Sequence, residues 1–201
     1  MPKLIGFCGA GGTGKTTTAK ALVEALGSPW RFAPSINREV FKRFTATGAE
    51  AEQNTMTPEQ LIELQMAIWK RKTEQDKELI ADASYHYVVD RTPVDNFSYM
   101  TYRCLDTYDE RLWHQLNQES KRAVSRSYQA VFYFPLYTFA KGGDGMREDH
   151  FGKRAINAMM DWAELMETHE WSGIPVYQMP IDEVGSRVDF ILNRLGLKRN
   201  N

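Results

Sequence analysis

Apolar and polar residues alternate along the chain in short blocks that predict strands and helices in turn. Lys3 to Cys8 is a short apolar run that ends in glycine-rich sequence, which is typical of a buried strand. From Lys15 to Leu26, apolar residues recur with helical spacing before Gly27, so we expect a helix with one buried stripe. A weaker strand is predicted at Trp30 to Ala33, followed by a short helix with Ser35 as a candidate N-cap.

The same alternation continues through the rest of the chain. Thr57 to Gln60 combines a capping threonine, a proline and a glutamine three residues after the cap, which predicts a helix reaching about Ala81. Further runs predict three strands and a final helix, at Tyr85 to Asp90, Ala130 to Phe134, Ile174 to Met179 and Val184 to Leu195. Strands separated by long helices favour a parallel sheet that is covered on both faces. The predicted fold class is therefore α/β, in three layers.

Length and composition indicate one ordinary globular domain. The 201 residues are 42% hydrophobic and 25% charged, and no repeat or linker divides them, so we expect a single domain over residues 1–201. The formal net charge is -1, so binding of phosphate must come from local geometry. No apolar run approaches the ~20 residues that span a bilayer, and we expect a cytoplasmic protein without a membrane partner. Cys8 and Cys104 are expected to be reduced thiols.

A candidate phosphate-binding loop lies between the first predicted strand and the first helix. Residues 9–16 match the pattern G-x-x-x-x-G-K-[ST] in full. Glycines let backbone N–H groups turn toward phosphate oxygens, and the helix N-terminus adds partial positive charge. In this pattern the lysine reaches the β- and γ-phosphates, and the following hydroxyl is a ligand of Mg²⁺. The sequence therefore predicts that ATP and Mg²⁺ are bound by Gly9, Ala10, Gly11, Gly12, Thr13, Gly14, Lys15, Thr16 and Thr17.

Residues within and beyond the loop indicate which class of nucleotide-binding protein the chain is similar to. No Asn-Lys pair occurs in the chain, which disfavours guanine-specific switches. Ala10 stands where partition-type ATPases carry a second lysine. Motor ATPases usually end the second conserved strand in Asp-Glu, with the glutamate activating water, whereas here Asp90 is followed by Arg91. Transfer of phosphate to a bound acceptor is therefore favoured over hydrolysis.

Asp90 is predicted at the carboxyl end of a strand, where open α/β sheets bind ligands. Its carboxylate could hold Mg²⁺ or accept the proton of an acceptor hydroxyl, and both roles stay open. Arg91 would then face phosphate as a substrate-binding residue. The alternative is that Asp90 caps the helix that begins near Val94.

A polar, glycine-rich segment at about 138–150 is predicted to form a lid. Kinases need mobile cations that close over the transferring phosphoryl group and exclude water. Arg147, which follows Gly-Asp-Gly, is the candidate catalytic cation of this lid. An ordinary surface loop is the alternative.

Two groups of residues are candidates for the acceptor side. Arg38 and Glu39 follow the weak strand and would bring a cation and a carboxylate to the edge of the sheet, unless they form only a solvated pair. Gln65 and nearby aromatic residues could line an acceptor pocket or stack on a base, although aromatic residues at helical spacing are more often core. These aromatic residues are Trp69, Phe97, Tyr99 and Tyr102.

These motifs give the chain a family resemblance. It resembles the small P-loop kinase-like proteins that are grouped with the nicotinamide-riboside kinase domain and are common in bacteriophage genomes. More distantly, it is similar to deoxynucleoside and thymidylate kinases, which have an Asp/Glu-Arg strand end. The resemblance is carried by Gly9–Thr16, Arg38-Glu39, Glu59–Gln65, Val88–Asp95, Phe134-Pro135 and Asp144–Arg147.

The resemblance implies transfer of phosphate from ATP to a nucleoside or nucleotide, on a three-layer P-loop kinase fold with a lid. Asp90 would be the base or a metal-site residue, Arg147 would lie on the lid, and Arg38, Glu39 and Asp95 would point toward the acceptor. A regulatory ATPase and a non-catalytic nucleotide-binding module are the alternatives. The sequence indicates no oligomeric state.

A DNA-borne acceptor also follows from the resemblance. One phage branch of the group is thought to phosphorylate 5-hydroxymethyluracil within DNA, which would place a phage-encoded enzyme in the host cytoplasm. A local basic track would have to hold the duplex, because the chain has no excess of positive charge. The candidates are Lys70 to Lys72, or Arg122 and Arg126, unless these are solvated helix faces paired with acidic residues.

Overall fold

One parallel sheet organises the molecule. The computed structural model describes residues 3–46, 50–104, 109–135 and 173–200. Five strands lie in the order β2-β3-β1-β4-β5, and every neighbouring pair is parallel. The strands are β1 (Leu4–Cys8), β2 (Trp30–Ala33), β3 (His86–Asp90), β4 (Tyr128–Tyr133) and β5 (Val176–Gln178). The central strand is β1, so the chain that leaves its carboxyl end has a strand on either side.

Helices cover both faces of the sheet. Helices α1 and α6 pack on one face through apolar residues such as Leu22 and Ile191, and α3, α4 and α5 cover the other. Within the described segments the helices are α1 (Lys15–Leu26), α2 (Asn37–Phe44), a 3-10 helix (Glu50–Thr55), α3 (Pro58–Ala81), α4 (Pro93–Arg103), α5 (Glu110–Ser127) and α6 (Val184–Leu195). The three-layer α/β class is confirmed. The 3-10 helix and α5 are elements that the sequence pattern did not predict.

Capping residues fix the ends of several helices at the positions that the sequence predicts. The Thr57 backbone N–H donates to Gln60, and the Gln60 N–H donates to the Thr57 hydroxyl, so the predicted capping box is formed. Gly27 ends α1 at a positive φ of 62°. One N-cap prediction was wrong. Ile36 occupies the N-cap of α2, while the Ser35 hydroxyl accepts a bond from the N–H of Asn37, two residues after Ser35.

Two further features of the described part of the chain concern helix length and the cysteines. No helix there is long and apolar enough to cross a membrane. Cys8 and Cys104 are both buried.

Candidate functional site

The phosphate-binding loop and Asp90 lie at the same edge of the sheet. Phe7 of β1 pairs with Asp90 of β3, so the ends of two adjacent parallel strands bring the loop and the carboxylate together. The loop begins at Gly9, whose φ is 125°. A Cβ at this position would lie 2.3 Å from the Phe134 carbonyl oxygen, so only glycine fits where the loop leaves the sheet.

Lys15 lies against the loop that carries it. Its Nζ donates to the carbonyl oxygens of Gly9 at 2.8 Å and Ala10 at 2.6 Å. The Thr13 hydroxyl also donates to the Ala10 oxygen, at 3.0 Å, which fixes the curvature of the loop. Lys15 is only 5% exposed, so the cation and the cradle predicted for phosphate form one compact unit.

Burial changes the acidity of this lysine. It lowers the pKa of Lys15 to about 8; the nearby Arg91 guanidinium lowers that pKa as well, while Asp90 and Asp95 oppose the shift. An anionic phosphate beside the ammonium would favour the charged form and raise the pKa again. Binding of a nucleotide should therefore be linked to protonation of Lys15.

We expect the affinity for ATP to fall as the pH rises through about 8. Above that pH the free protein has lost the Lys15 proton, whereas the complex retains it, so each unit of pH costs up to about tenfold in affinity. Isothermal titration calorimetry between about pH 7 and 9, in buffers of different ionisation enthalpy, would measure affinity and proton uptake together. Lys20→Ala, which removes an exposed lysine on the same helix, is the control. A constant affinity without proton uptake would contradict the assignment.

The two candidate metal ligands meet beside the loop. Thr16 Oγ1 donates to Asp90 Oδ2 at 2.5 Å, and Thr16 is exposed while Asp90 is 6% exposed. The described residues contain no cluster of three or more histidine, cysteine or acidic side chains that would form an all-protein metal cage. A hydroxyl and one carboxylate suit Mg²⁺, which usually keeps several waters and binds substrate phosphates. The residues present therefore fit this ion.

Asp90 does not cap the following helix, so that alternative was wrong. Thr92 occupies the N-cap of α4, and Pro93 is the first helical residue. The carboxylate that completes the capping box belongs to Asp95, whose Oδ2 accepts from the Thr92 N–H at 2.8 Å. The Asp90 carboxylate is thereby left for the contact with Thr16.

Arg91 has an unusual backbone and a buried side chain. Its φ is 77°, a left-handed conformation that costs on the order of 1–3 kcal/mol for a residue other than glycine. The surrounding contacts hold it there. The backbone N–H donates to the Phe7 oxygen, and the guanidinium lies 3.5 Å from Asp95 Oδ1 and 3.2 Å from the Tyr99 hydroxyl. Residues held in this way cluster at functional sites.

Asp95 ties the start of the loop to α4. Its side chain is fully buried, and Oδ1 accepts from the Gly9 N–H at 3.0 Å. Together with the bond from Thr92 and the ion pair to Arg91, this contact links three segments of the site. Burial raises the pKa of Asp95, while the charges of Arg91 and Lys15 oppose that shift. The resemblance points Asp95 toward the acceptor, whereas in the structure its carboxylate contacts Gly9, Thr92 and Arg91.

Comparison with known proteins places the chain in a family. A family model described as an AAA domain matches residues 4–187, which is most of the chain. The chain belongs to this AAA-domain family. No curated protein matches it in sequence.

Solved structures share the fold of this AAA-domain chain. Deoxyadenosine kinase from M. mycoides, with the products dCMP and dCDP bound, has a TM-score of 0.69 at 15% identity, covering 96% of this chain and 98% of that one. Thymidylate kinase from Candida albicans has a TM-score of 0.65 at 16% identity, covering 97% and 91%. At this level of identity the likeness concerns the fold, and it confirms the predicted P-loop kinase architecture.

The acceptor-side candidates divide into surface and core residues. Arg38 and Glu39 are both exposed on α2, and Glu39 pairs with Arg43 at 2.7 Å and with Arg71 at 3.6 Å. Arg147 and the predicted lid lie outside the described residues. Of the predicted site residues, the structure brings together Lys15, Thr16, Asp90, Arg91 and Asp95 and leaves Arg38 and Glu39 on the surface.

Trp69 and Phe97 serve packing, whereas the Tyr99 hydroxyl accepts a bond from the Arg91 guanidinium at 3.2 Å. Trp69 donates to the Ser120 hydroxyl of α5 at 2.9 Å, and the rings of Phe97 and Trp113 are 5.7 Å apart. Gln65 is 2% exposed and donates to Gln53 at 2.9 Å. Trp69 and Phe97 thus pack against the core, which is the more common role of aromatic residues at helical spacing.

The basic run at the middle of α3 contains one buried residue. Lys72 is 1% exposed and donates to Asp76 at 2.6 Å, so its charge is neutralised inside the molecule. Burial lowers the pKa of Lys72, while Asp76 opposes that shift. Arg71 pairs with Glu78 and Glu39. Lys72 therefore cannot belong to a DNA-binding track, whereas Lys70 is exposed, as are Arg122 and Arg126 on α5.

Two residues near the site escaped the sequence analysis. Asn96 of α4 is 1% exposed, and within the described residues neither its Nδ2 nor its Oδ1 has a hydrogen-bond partner. Arg187 of α6 is 4% exposed and donates to the Thr13 carbonyl oxygen at 3.3 Å. Asn96 directly follows the Asp-Arg-Thr-Pro-Val-Asp motif, which is a signal that could have drawn attention to it. Arg187 has no such signal, because 174 positions separate it from Thr13.

Proposed function

We propose that this protein is an ATP- and Mg²⁺-dependent kinase that transfers the γ-phosphoryl group to a nucleoside-type acceptor. The observation that carries the proposal is the contact between Thr16 and Asp90 beside the buried Lys15. This arrangement is the one by which P-loop proteins hold Mg²⁺ and the terminal phosphates. Arg91 follows Asp90 at the position where motor ATPases carry a water-activating glutamate. Transfer to an acceptor is therefore favoured over hydrolysis.

Each residue of the site has a role in this proposal. The backbone of residues 9–17 and the Lys15 ammonium bind the phosphates, and Thr16 and Asp90 hold Mg²⁺, which when bound offsets the negative charge on the phosphoryl oxygens. Asp90 is also placed to accept the proton of an acceptor hydroxyl, so both roles remain part of the proposal. Arg91 faces phosphate, and Asp95 positions Arg91 and the loop. Arg147 supplies the lid cation.

A nucleoside or nucleotide is the acceptor class best supported. The solved structures that share the fold are kinases of deoxyadenosine and thymidylate. A 5-hydroxymethyluracil base in phage DNA is the alternative acceptor. It is less favoured, because Lys72 is buried and the net charge of the chain is -1, which leaves few cations for a duplex.

We expect Asn96→Leu to weaken acceptor binding without destabilising the fold. A buried amide without a partner costs about 1–3 kcal/mol, so a side chain of similar shape without polar atoms should be neutral or stabilising. If the amide is kept because it binds the acceptor, the KM for the acceptor should rise about tenfold or more while the KM for ATP stays constant. Steady-state kinetics and thermal unfolding give both readouts. An unchanged KM for the acceptor would contradict this role.

The proposed function is tested by following labelled γ-phosphate from ATP and Mg²⁺ to parallel acceptors. The panel contains free nucleosides, nucleoside monophosphates, nicotinamide riboside, and duplex DNA with or without 5-hydroxymethyluracil. Transfer that Lys15→Ala abolishes and Lys20→Ala preserves would support the kinase. If only the DNA that contains 5-hydroxymethyluracil is labelled, and the affinity of the protein for that DNA falls steeply with salt, the acceptor is DNA-borne.

Two outcomes would overturn the kinase proposal. ATP turnover that no acceptor stimulates would indicate a regulatory ATPase. Binding of ATP without transfer or turnover would indicate a nucleotide-binding module that lacks chemistry.

A further inference from the structure

Arg187 reaches the phosphate-binding loop from the opposite end of the chain. It lies in the first turns of α6, the helix that packs beside α1, and its Nη1 donates to the Thr13 carbonyl oxygen at 3.3 Å. Its guanidinium carbon is 5.9 Å from the centre of the Phe134 ring. With an exposed fraction of 4%, Arg187 is enclosed between the loop and the sheet rather than lying on the surface.

The loop is shaped to admit this side chain. A Cβ on Gly14 would come within 2.7 Å of Arg187 Nη1, so the absence of a side chain at position 14 makes room for the guanidinium. Gly14 also has a φ of 89°, which glycine adopts without strain. The same glycine thus serves the turn of the loop and the approach of Arg187.

Loop carbonyls explain what Arg187 does. When N–H groups of a loop turn inward to surround an anion, carbonyl oxygens turn outward, and buried ones need a donor. Lys15 now donates to the Gly9 and Ala10 oxygens, but it must leave them to reach a phosphate. Arg187 holds the Thr13 oxygen from behind the loop, so it can stay in place when Lys15 moves.

We propose that Arg187 is a positioning residue for nucleotide binding. It fixes the peptide between Thr13 and Gly14 so that the following N–H groups point toward the phosphates, and it places a buried positive charge close to them. The inference rests on the proposed function only to the extent that the loop binds a nucleotide. It also implies that docking of α6 and binding of nucleotide stabilise each other, because a coupling between two sites is reciprocal.

The test compares two arginines of the same helix. Arg187→Met and Arg187→Lys alter the loop contact, whereas Arg194→Met removes a guanidinium that stacks on Tyr177 and Phe190. Titration calorimetry would measure the affinity of each variant for ATP with Mg²⁺ and for inorganic triphosphate, and thermal unfolding would measure stability. The triphosphate isolates the phosphate cradle from any contact with the base.

We expect Arg187→Met to lose about tenfold or more in affinity for both ligands. Arg187→Lys should recover part of the loss, since a lysine can still donate to the Thr13 oxygen, and Arg194→Met should stay within about twofold of the wild type. In wild-type protein, ATP should slow amide hydrogen exchange in α6. This last measurement keeps the inference testable even if Arg187→Met fails to fold.

Other results would overturn the inference. If Arg187→Met folds and binds both ligands as the wild type does, or loses stability without losing affinity, the residue is only structural. Equal losses in Arg187→Met and Arg194→Met, or unchanged exchange in α6 when ATP binds, would also contradict it. These are binding measurements that need no acceptor, so they can fail or succeed separately from the search for phosphotransfer.

Discussion

Asp90→Asn is expected to lower the rate of phosphotransfer by about 10²–10⁴-fold while the protein stays folded. Asparagine keeps the shape of the side chain and one acceptor oxygen for the Thr16 hydroxyl, which donates to Asp90 Oδ2 at 2.5 Å. It removes the negative charge that either a metal ligand or a general base requires. Single-turnover transfer of labelled γ-phosphate measures the rate, and thermal unfolding verifies the fold.

A second variant separates the two roles of Asp90. Thr16→Ala removes the candidate metal hydroxyl but cannot affect a general base directly. If Asp90 holds Mg²⁺, raising the Mg²⁺ concentration should restore part of the loss in both single variants, and the double variant should lose less than the product of the two. If Asp90 is the base, excess Mg²⁺ should restore Thr16→Ala alone.

Asp82 offers a matched control for the change at Asp90. It is a carboxylate near the other end of the same strand, where it accepts a bond from the Tyr87 hydroxyl. Asp82→Asn should leave the transfer rate unchanged, because that end of β3 is remote from the loop. A rate for Asp90→Asn within about threefold of the wild type would contradict both proposed roles, since either one requires a loss of at least about 10²-fold.

The sequence predicts best what local interactions decide. Helices α1 and α6 begin and end at the predicted residues, and the Thr57 capping box starts α3 as expected. The loop at residues 9–16 is equally local, because its glycines and the flanking strand and helix are contiguous in the chain. Such features depend on contacts within one or two turns, so the order of residue types is sufficient to indicate them.

Helix α5 shows why a pattern can be missed. Its buried residues form a narrow stripe, and one member of that stripe, Ser120, is polar and accepts a bond from Trp69. Only four of its 18 residues are buried, and one of those four is polar, so the helix contains no continuous apolar run that draws attention to it. The signal that does predict this helix is Asp109, which caps it by accepting bonds from the Arg111 and Leu112 N–H groups.

Contacts between distant segments could not be predicted from the residues alone. Lys72 lies in a charged run that favours a solvated face, yet it is buried with Asp76, which also accepts from the Tyr128 hydroxyl 52 positions away. The bond between Gly9 and Asp95 spans 86 positions. The residue types of the site were therefore predictable, but the partner that each one has depends on the packed fold.

The role of Asp95 is where the resemblance and the structure differ most. The resemblance points it toward the acceptor, whereas here it accepts bonds from the Gly9 and Thr92 N–H groups and pairs with Arg91. These two assignments predict opposite results. A residue that binds the acceptor affects KM when it is replaced, while a residue that joins buried segments affects the free energy of unfolding.

Asp95→Ala is expected to lower the free energy of unfolding by about 3–5 kcal/mol, because it leaves a buried guanidinium and two buried N–H groups without their acceptor. Denaturant unfolding would measure this loss. Asp109→Ala, which removes an exposed N-cap carboxylate from α5, should cost only about 1 kcal/mol and is the control. Asp95→Asn retains part of the hydrogen bonding and should lie between the two. If Asp95→Ala costs no more than the control, and Asp95→Asn raises the KM for the acceptor without a loss of stability, Asp95 contacts the acceptor rather than joining the loop to α4.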